Sequence, residues 1–237
     1  RKTHRAIKRK EKKMSNSIEF AIAEVLPEKL NALVKNIMSQ TGESDPNEAV
    51  RLVNSGEWIV SKPICRWREQ GGVIYFTLPP TDGTTGPQWI KRLEKKGFQL
   101  SKWSRDVLNS PDFKPTTGVV NNIAVLKGEL FSDGNRFTKK IRAEGDKRKL
   151  KHGKDISPEI ACQIREMFTD EEIKEMGLVW IIAMHESISD SDGDLRLLNA
   201  SRNDDGRWLY AYYGNPDYRW NRENGFAFVV PQASPQN

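Results

Sequence analysis

Cysteine, histidine and long apolar runs are all scarce in this chain of 237 residues. Its two cysteines, Cys65 and Cys162, sit far apart, which gives neither a disulfide framework nor a zinc spacing and fits a reducing compartment. Three histidines (His4, His152 and His185) are too few for a His-built centre. Metalloenzymes and thiol redox enzymes are therefore disfavoured, and neither metal nor cofactor is expected. The longest apolar run, residues 178–184, is strand-sized and well short of the roughly 18–20 residues of a membrane helix. No apolar stretch of a secretory signal precedes the body of the chain, so no membrane partner is expected and a cytoplasmic location is the default. A phosphate-cradling loop is missing too, since Gly83-Thr84-Thr85-Gly86-Pro87 has no lysine in the P-loop position.

What is present begins with charge. The total is +6, but residues 1–13 (RKTHRAIKRKEKK) carry +7 of it and leave the rest at −1. The basicity is a tail. Such a tail can hold phosphate backbones non-specifically, can be a solvated arm, or can be upstream sequence if Met14 opens the reading frame. Seven Trp, nine Phe and five Tyr supply the apolar bulk of a packed core.

Periodicity divides the chain in two. Residues 17–38 read as helix interrupted at Pro27, with Leu30, Leu33, Val34 and Ile37 on one face and Gly42 as the stop. Asp45-Pro46 opens a short helix that Gly56 ends. Residues 57–61 and 73–78 read as a hairpin around Gly71-Gly72, and helices follow at 87–96 and after Ser101. The run Ser110-Pro111-Asp112-Phe113-Lys114-Pro115-Thr116-Thr117-Gly118 reads as a linker. Beyond it come a strand at 123–130, a basic helix at 137–150, a helix opened by Ser157-Pro158, and a short helix with the T-x-x-E capping box of Thr169 and Glu172. A buried-type strand at 178–184 and short aromatic segments ending at 226–230 complete the pattern. The fold class is α+β. The expected organisation is a tail at 1–14, a smaller, mostly helical domain with a β-hairpin at 15–110, a linker at 111–118 and a second domain at 119–232.

Residues 197–230 carry the functional information. A skeleton of Gly206, Arg207, Trp208, Pro216, Arg219, Trp220, Gly225 and Phe226 alternates with clusters of Asn, Asp, Tyr, Ser and Gly. Enzyme sites set a few polar groups in an apolar cleft, whereas paratopes are rich in Tyr, Asn, Ser and Gly. Tyr gives wide contact at low entropic cost, and it recurs here where a solvated turn would take Lys, Glu or Thr. The genetic code adds a clue: Tyr, Asp, Ser and Gly are each one or two adenine changes from an Asn codon. Asn199, Ser201, Asn203, Tyr210, Tyr212, Tyr213, Gly214, Asn215, Tyr218, Asn221 and Asn224 look like one Asn-rich template with some adenines altered.

The order Ala211, Pro216-Asp217, Arg219, Gly225-Phe226 and Val229 resembles the C-terminal end of the C-type-lectin-like variable proteins diversified by retroelements. The likeness covers about the last 35 residues closely and the last 110 loosely, and does not reach residues 1–118. Ala227 stands where many relatives carry Arg, which leaves the subfamily open. The resemblance implies a C-type-lectin-like domain at 119–232, in which a strand and two helices precede strands that close beside the first. It also implies a non-enzymatic ligand surface that an error-prone reverse transcriptase rewrites at adenines, with a protein or other macromolecule as the variable partner. On this reading Ser201, Asn203, Asp204, Tyr210, Tyr212, Tyr213, Gly214, Asp217, Tyr218 and Asn221 form the ligand surface. Arg207 and Arg219 would stack on aromatics or pair with Asp205 or Asp217.

Other constellations are weaker. Asp190-Ser191-Asp192-Gly193-Asp194 starts like a calcium loop, but Leu195 and Ser201 occupy the EF-hand Gly and Glu positions. His185-Glu186 follows a strand without a nucleophile motif. Formylglycine-generating enzymes share the lectin-like fold but need cysteines in this part of the domain, where only Cys162 stands, on an apolar helix face. The alternative from another class is a nucleic-acid-associated protein that clamps phosphates with residues 1–13 and helix 139–151.

Overall fold

The computed structural model describes residues 27–58, 66–203 and 206–231, and the chain divides into two compact units, Arg1–Ile64 and Cys65–Asn237. In the first, helices α1 (Pro27–Thr41) and α2 (Pro46–Asn54) pack on each other. Asp45 accepts the Asn47 N–H at 2.9 Å and Pro46 takes the first helical turn, as the sequence signal requires. The basic tail and the helix expected before Pro27 lie outside the described residues.

The second unit is mixed α+β around a nine-stranded sheet. Its strands are β1 (Arg68–Gln70), β2 (Val73–Thr77), β3 (Gln99–Leu100), β4 (Asn122–Lys127), β5 (Trp180–Ala183), β6 (Ile188–Ser189), β7 (Leu195–Asn203), β8 (Gly206–Tyr213) and β9 (Asn224–Val229). They lie in the order β1-β2-β4-β9-β5-β7-β8-β3, with β6 paired to β7 off that path. β5 runs parallel to β9 and β3 parallel to β8, and every other pairing is antiparallel.

Alternation along the strands sorts the side chains to two faces. Ile74, Phe76, Ile123, Val125, Ile181, Leu198, Ala200, Leu209 and Ala211 share the face covered by helices α4 (Lys102–Asn109), α6 (Glu159–Met167) and α7 (Asp170–Glu175). Helix α3 (Gly86–Lys95) lies against α4 and α6. Helix α5 (Thr138–Lys147) crosses the opposite face over β9, with Gly145 against the Phe228 ring. That close approach explains a glycine in the middle of a helix, where a Cβ would stand 2.4 Å from the Phe228 ring.

Residues Glu159 through Arg165 of α6 are all buried, so its polar groups need partners. Arg165 donates to the carbonyls of Ser201 (2.8 Å) and Phe168 (2.7 Å) and stands 2.9 Å from Asp170. Glu159 accepts the Thr116 hydroxyl at 2.6 Å and its N–H at 3.2 Å, and burial raises its pKa.

The expected domain boundary is corrected here. Residues 111–118 lie inside the second unit as a tied loop: Phe113 is buried, Thr116 bonds to Glu159, and the Gly118 N–H reaches the Thr81 carbonyl at 2.7 Å. Strand β2 and helices α3 and α4, read as N-terminal, belong to the same unit, because β2 pairs with β4 along its whole length and β3, between α3 and α4, pairs with β8. Turn-rich composition marks a loop, and here that loop is anchored at both ends. The hairpin itself joins β1 to β2; Glu57 and Trp58 are not strand, and 59–61 lie outside the described residues.

A fragment spanning 119–232 would strip β4 of β2 and β8 of β3, leaving each with one partner, and would uncover Ile123 and Val125. We expect it to lack a cooperative thermal transition, while 65–237 retains one; circular dichroism melts of the two fragments check this.

Candidate functional site

The site is built on the β7–β8 pair, in register from Arg196↔Tyr213 to Asn203↔Gly206. Leu198, Ala200, Leu209 and Ala211 turn to the helices. Their neighbours Asn199, Ser201, Trp208, Tyr210 and Tyr212 therefore share the other face, which Trp180 extends opposite Ser201 and Asn224 extends opposite Trp180.

Aromatic rings form a continuous layer there. Trp103 meets Tyr210 edge-on with centroids 5.7 Å apart, Tyr210 lies 6.2 Å from Tyr212, and Tyr212 lies 5.3 Å from Trp180 and 5.4 Å from Tyr218. These tilted and edge-to-face contacts are the favoured aromatic geometries. Tyr218 in turn packs on the buried Trp220 at 4.9 Å. Burial raises the phenol pKa of Tyr210 and Tyr218, and for Tyr218 a hydrogen bond with Tyr212 raises it further, so both stay neutral at physiological pH. At the margin the Arg196 guanidinium lies over Trp103 (5.0 Å) and Tyr213 (4.3 Å), held by Asp190 at 2.6 Å.

The loop from β8 to β9 is stapled to the start of α5. Trp220 Nε1 donates to Thr138 Oγ1 at 3.0 Å, and the carbonyls of Pro216 and Tyr218 accept the Lys139 and Thr138 N–H groups. These bonds use amides that a helix N-terminus leaves without internal partners. Arg136 donates to the Trp220 and Phe131 carbonyls, closing the frame from the other side.

Of the residues expected on the ligand surface, Tyr210, Tyr212, Tyr213, Asp217, Tyr218, Asn221 and Asn203 are exposed or half-buried. Two are corrected. Ser201 is 1% exposed, closed in between Trp180 and Trp208 on the adjacent strands, with its hydroxyl donated to Asn199 Oδ1. Gly214 is buried, and a Cβ there would stand 2.5 Å from Ser187 Oγ and 3.1 Å from Leu197 Cγ. Asp204 and Asp205 lie outside the described residues.

Among the frame residues, Trp220, Gly225 and Phe226 are buried; a Gly225 Cβ would meet Val125 and Leu178 at 2.6 and 2.7 Å. Gly206 and Trp208 are half-buried, and Pro216 is exposed. Arg207 stacks on Phe98 at 4.7 Å and donates to the Lys96 carbonyl. Arg219 stands 3.8 Å from Asp133, while Asp217 pairs with Lys139, so the expected Arg219–Asp217 pairing is replaced by two others. Trp180, Trp103, Asn199 and Asn224 were not assigned to the surface; strand register brings Trp180, Asn199 and Asn224 together, and helix α4 brings Trp103 to Tyr210. Adjacency across strands has no linear signal.

Among the described residues, four buried donor atoms of this face have no hydrogen-bond partner: Trp180 Nε1, Trp208 Nε1, Asn199 Nδ2 and Asn224 Nδ2. Elsewhere the polar candidates are spent. His185 is fully buried, with Nδ1 bonded to the Glu186 carbonyl (2.6 Å) and Nε2 accepting the Leu198 N–H (3.0 Å), which leaves no nitrogen for proton transfer to a substrate. Asp190 is occupied by Arg196 and two backbone N–H groups where a calcium loop would place the cation. Among the described residues no group of three or more His, Cys, Asp or Glu is placed to hold a metal ion. No described helix is long and apolar enough to cross a membrane. Cys162 is buried, and burial pushes its thiol pKa well up. On the basic helix, Lys139 pairs with Asp217, and Lys147 and Arg148 pair with Glu144. No protein-family model matches this chain, and no curated protein and no solved structure matches it.

Exposed and buried residues of this region should separate in stability measurements. Tyr213→Ala, Asp217→Ala and Asn221→Ala are expected to shift unfolding free energy by no more than about 0.5 kcal/mol each. Trp220→Ala should cost about 3–5 kcal/mol, and Gly214→Ala about 1–3 kcal/mol through overpacking; urea titrations read all five. Stability should also fall as pH drops from 6.5. Burial, reinforced by the Arg142 charge, lowers the His185 pKa to about 4 against the opposing hydrogen bond to Glu186. The unfolded chain therefore takes up a proton near pH 6.5 that the native state refuses until about pH 4. The stability advantage of the native protein over His185→Gln should shrink by about 3 kcal/mol across that window.

Proposed function

We propose that this chain is a non-enzymatic recognition protein whose C-terminal stretch presents a diversifiable ligand surface on a C-type-lectin-like fold. The observation that carries the reading is the layer of half-buried tyrosines on one face of the β7–β8 pair, with Tyr212 and Tyr218 resting on Trp220 in a frame completed by Gly225 and Phe226. Chain order supports the fold: a strand (β4) and helices α5 and α6 precede the later strands, and β9 returns antiparallel beside β4. The ligand is a protein or other macromolecule, gripped by central tyrosines and a polar rim of Asn203, Asp217 and Asn221. Arg196 and Asp190 fix the margin against which Tyr213 packs.

The experiment is a pair of libraries. Randomising Tyr210, Tyr212, Tyr213, Asp217, Tyr218 and Asn221 should leave most members folded and yield binders to unrelated protein targets. Randomising Ser201, Gly214, Trp220 and Phe226 should leave few folded. Equal intolerance of both libraries sinks the reading. The diversification claim has its own test: the flanking DNA should hold a near-copy of the 3′ coding end that differs at adenines, beside a reverse transcriptase gene.

A further inference from the structure

We infer that an open hollow over strands β1, β2 and β4 is a binding site for a small organic carboxylate that carries a second, neutral acceptor. This site is separate from the recognition reading above and does not rest on it. Helix α5, lying over β9, divides the outer face of the sheet, and the aromatic layer occupies the β5-β7-β8 side. On the other side the hollow has a volume of about 320 Å³, and Arg68, Tyr75, Thr77, Asn122 and Val230 are among its lining residues. That volume lies at the small end of ligand pockets, the size of a metabolite. Register sets Tyr75 opposite Arg68 and Thr77 opposite Asn122, so these four share one face.

The donors of the hollow select its occupant. The Arg68 guanidinium lies over the Tyr75 ring, 5.0 Å from the centroid. Stacking uses the face of the guanidinium and leaves its in-plane N–H groups free to meet a carboxylate through two parallel bonds. Arg66 holds Glu172 and Glu69 holds Lys127, whereas Arg68 has no hydrogen bond or ion pair among the described residues. The stretches 59–65 and 232–237, which adjoin the hollow in sequence but lie outside the described residues, contain no Asp or Glu. At the other end Thr77 Oγ1 donates to Asn122 Oδ1 at 2.7 Å, which turns the amide N–H₂ away from Thr77 and leaves it as a second donor. Val230, whose N–H is fixed on the Asn122 carbonyl at 2.8 Å, supplies an apolar wall. Arg68 is the one cation among the residues lining the hollow, so it matches a single negative charge. A phosphate monoester brings roughly 1.5–2 charges and would need a second cation to offset its desolvation. A carboxylate brings one and fits the fork, and a carbonyl on the same molecule meets the Asn122 amide.

The test is a titration of the intact, nitrogen-15-labelled protein with N-acetylglycine, N-acetylglycinamide and methyl phosphate. The expected result is a saturable shift of the Asn122 side-chain amide and of the Tyr75 and Thr77 backbone amides with N-acetylglycine, at a dissociation constant on the order of 1 mM. The Tyr212 and Tyr213 amides of the aromatic layer should stay in place. N-acetylglycinamide, which keeps the carbonyl and lacks the charge, and methyl phosphate should each bind at least about tenfold more weakly. Arg68→Gln, at an exposed position, should weaken N-acetylglycine about tenfold. The comparison of probes on the unaltered protein stands without the variant should that protein fail to fold. No saturable shift, an equal response to the neutral amide, or undiminished binding by a folded Arg68→Gln overturns the site. Equal or tighter binding of methyl phosphate overturns the carboxylate assignment. A protein C-terminus offers the same pair of groups, so acetyl-pentaglycine is the remaining arm. Binding tighter than that of N-acetylglycine assigns the hollow to a peptide terminus, equal or weaker binding assigns it to a free acid, and both uphold the carboxylate.

Discussion

The aromatic face depends on the register between β7 and β8. Each residue of these strands faces either the helices or the aromatic layer, and the choice alternates strictly. A slip of one position would send Tyr210 and Tyr212 into the helices and turn Leu209 and Ala211 outward. The register is held from the buried side: Leu198, Ala200, Leu209 and Ala211 are all 0% exposed, and Arg165 fixes the Ser201 carbonyl from α6.

Buried polar groups on the helix side are tied to the backbone: Arg165 to two carbonyls, Glu159 to the 111–118 loop, His185 between β7 and the start of the β5–β6 connection. Such bonds contribute modestly when made and cost about 1–3 kcal/mol when left unmade. They also make the scaffold specific, since each carbonyl is met by one side chain in one rotamer. The aromatic face differs: Trp180 Nε1, Trp208 Nε1, Asn199 Nδ2 and Asn224 Nδ2 are buried there without a partner among the described residues.

Much of this was legible in the sequence. Caps such as Asp45-Pro46 and Thr169-x-x-Glu172 mark helix starts because their hydrogen bonds are local, and both are realised. The skeleton of Trp220, Gly225 and Phe226 was readable because bulky aromatics and glycine in a polar stretch have few other uses. The domain boundary was misread because a Pro- and Ser-rich run looks alike whether it hangs free or is tied by Glu159, forty-three residues later in the chain. Ser201 and Gly214 were misplaced for a related reason. Composition says which residues suit a surface, but burial is set by strands that pair from elsewhere.

The sheet places β9 between β4 and β5, although it is the last of the nine strands to be synthesised. Until residues 224–229 leave the ribosome, β1-β2-β4 and β5-β7-β8 have no hydrogen-bonded seam to join them. The nascent chain must hold two unfinished half-sheets, with open edges that invite mispairing. The seam strand itself is almost wholly apolar and buried, so its arrival closes both edges and the core in one step, after every side chain of the aromatic layer has already been translated.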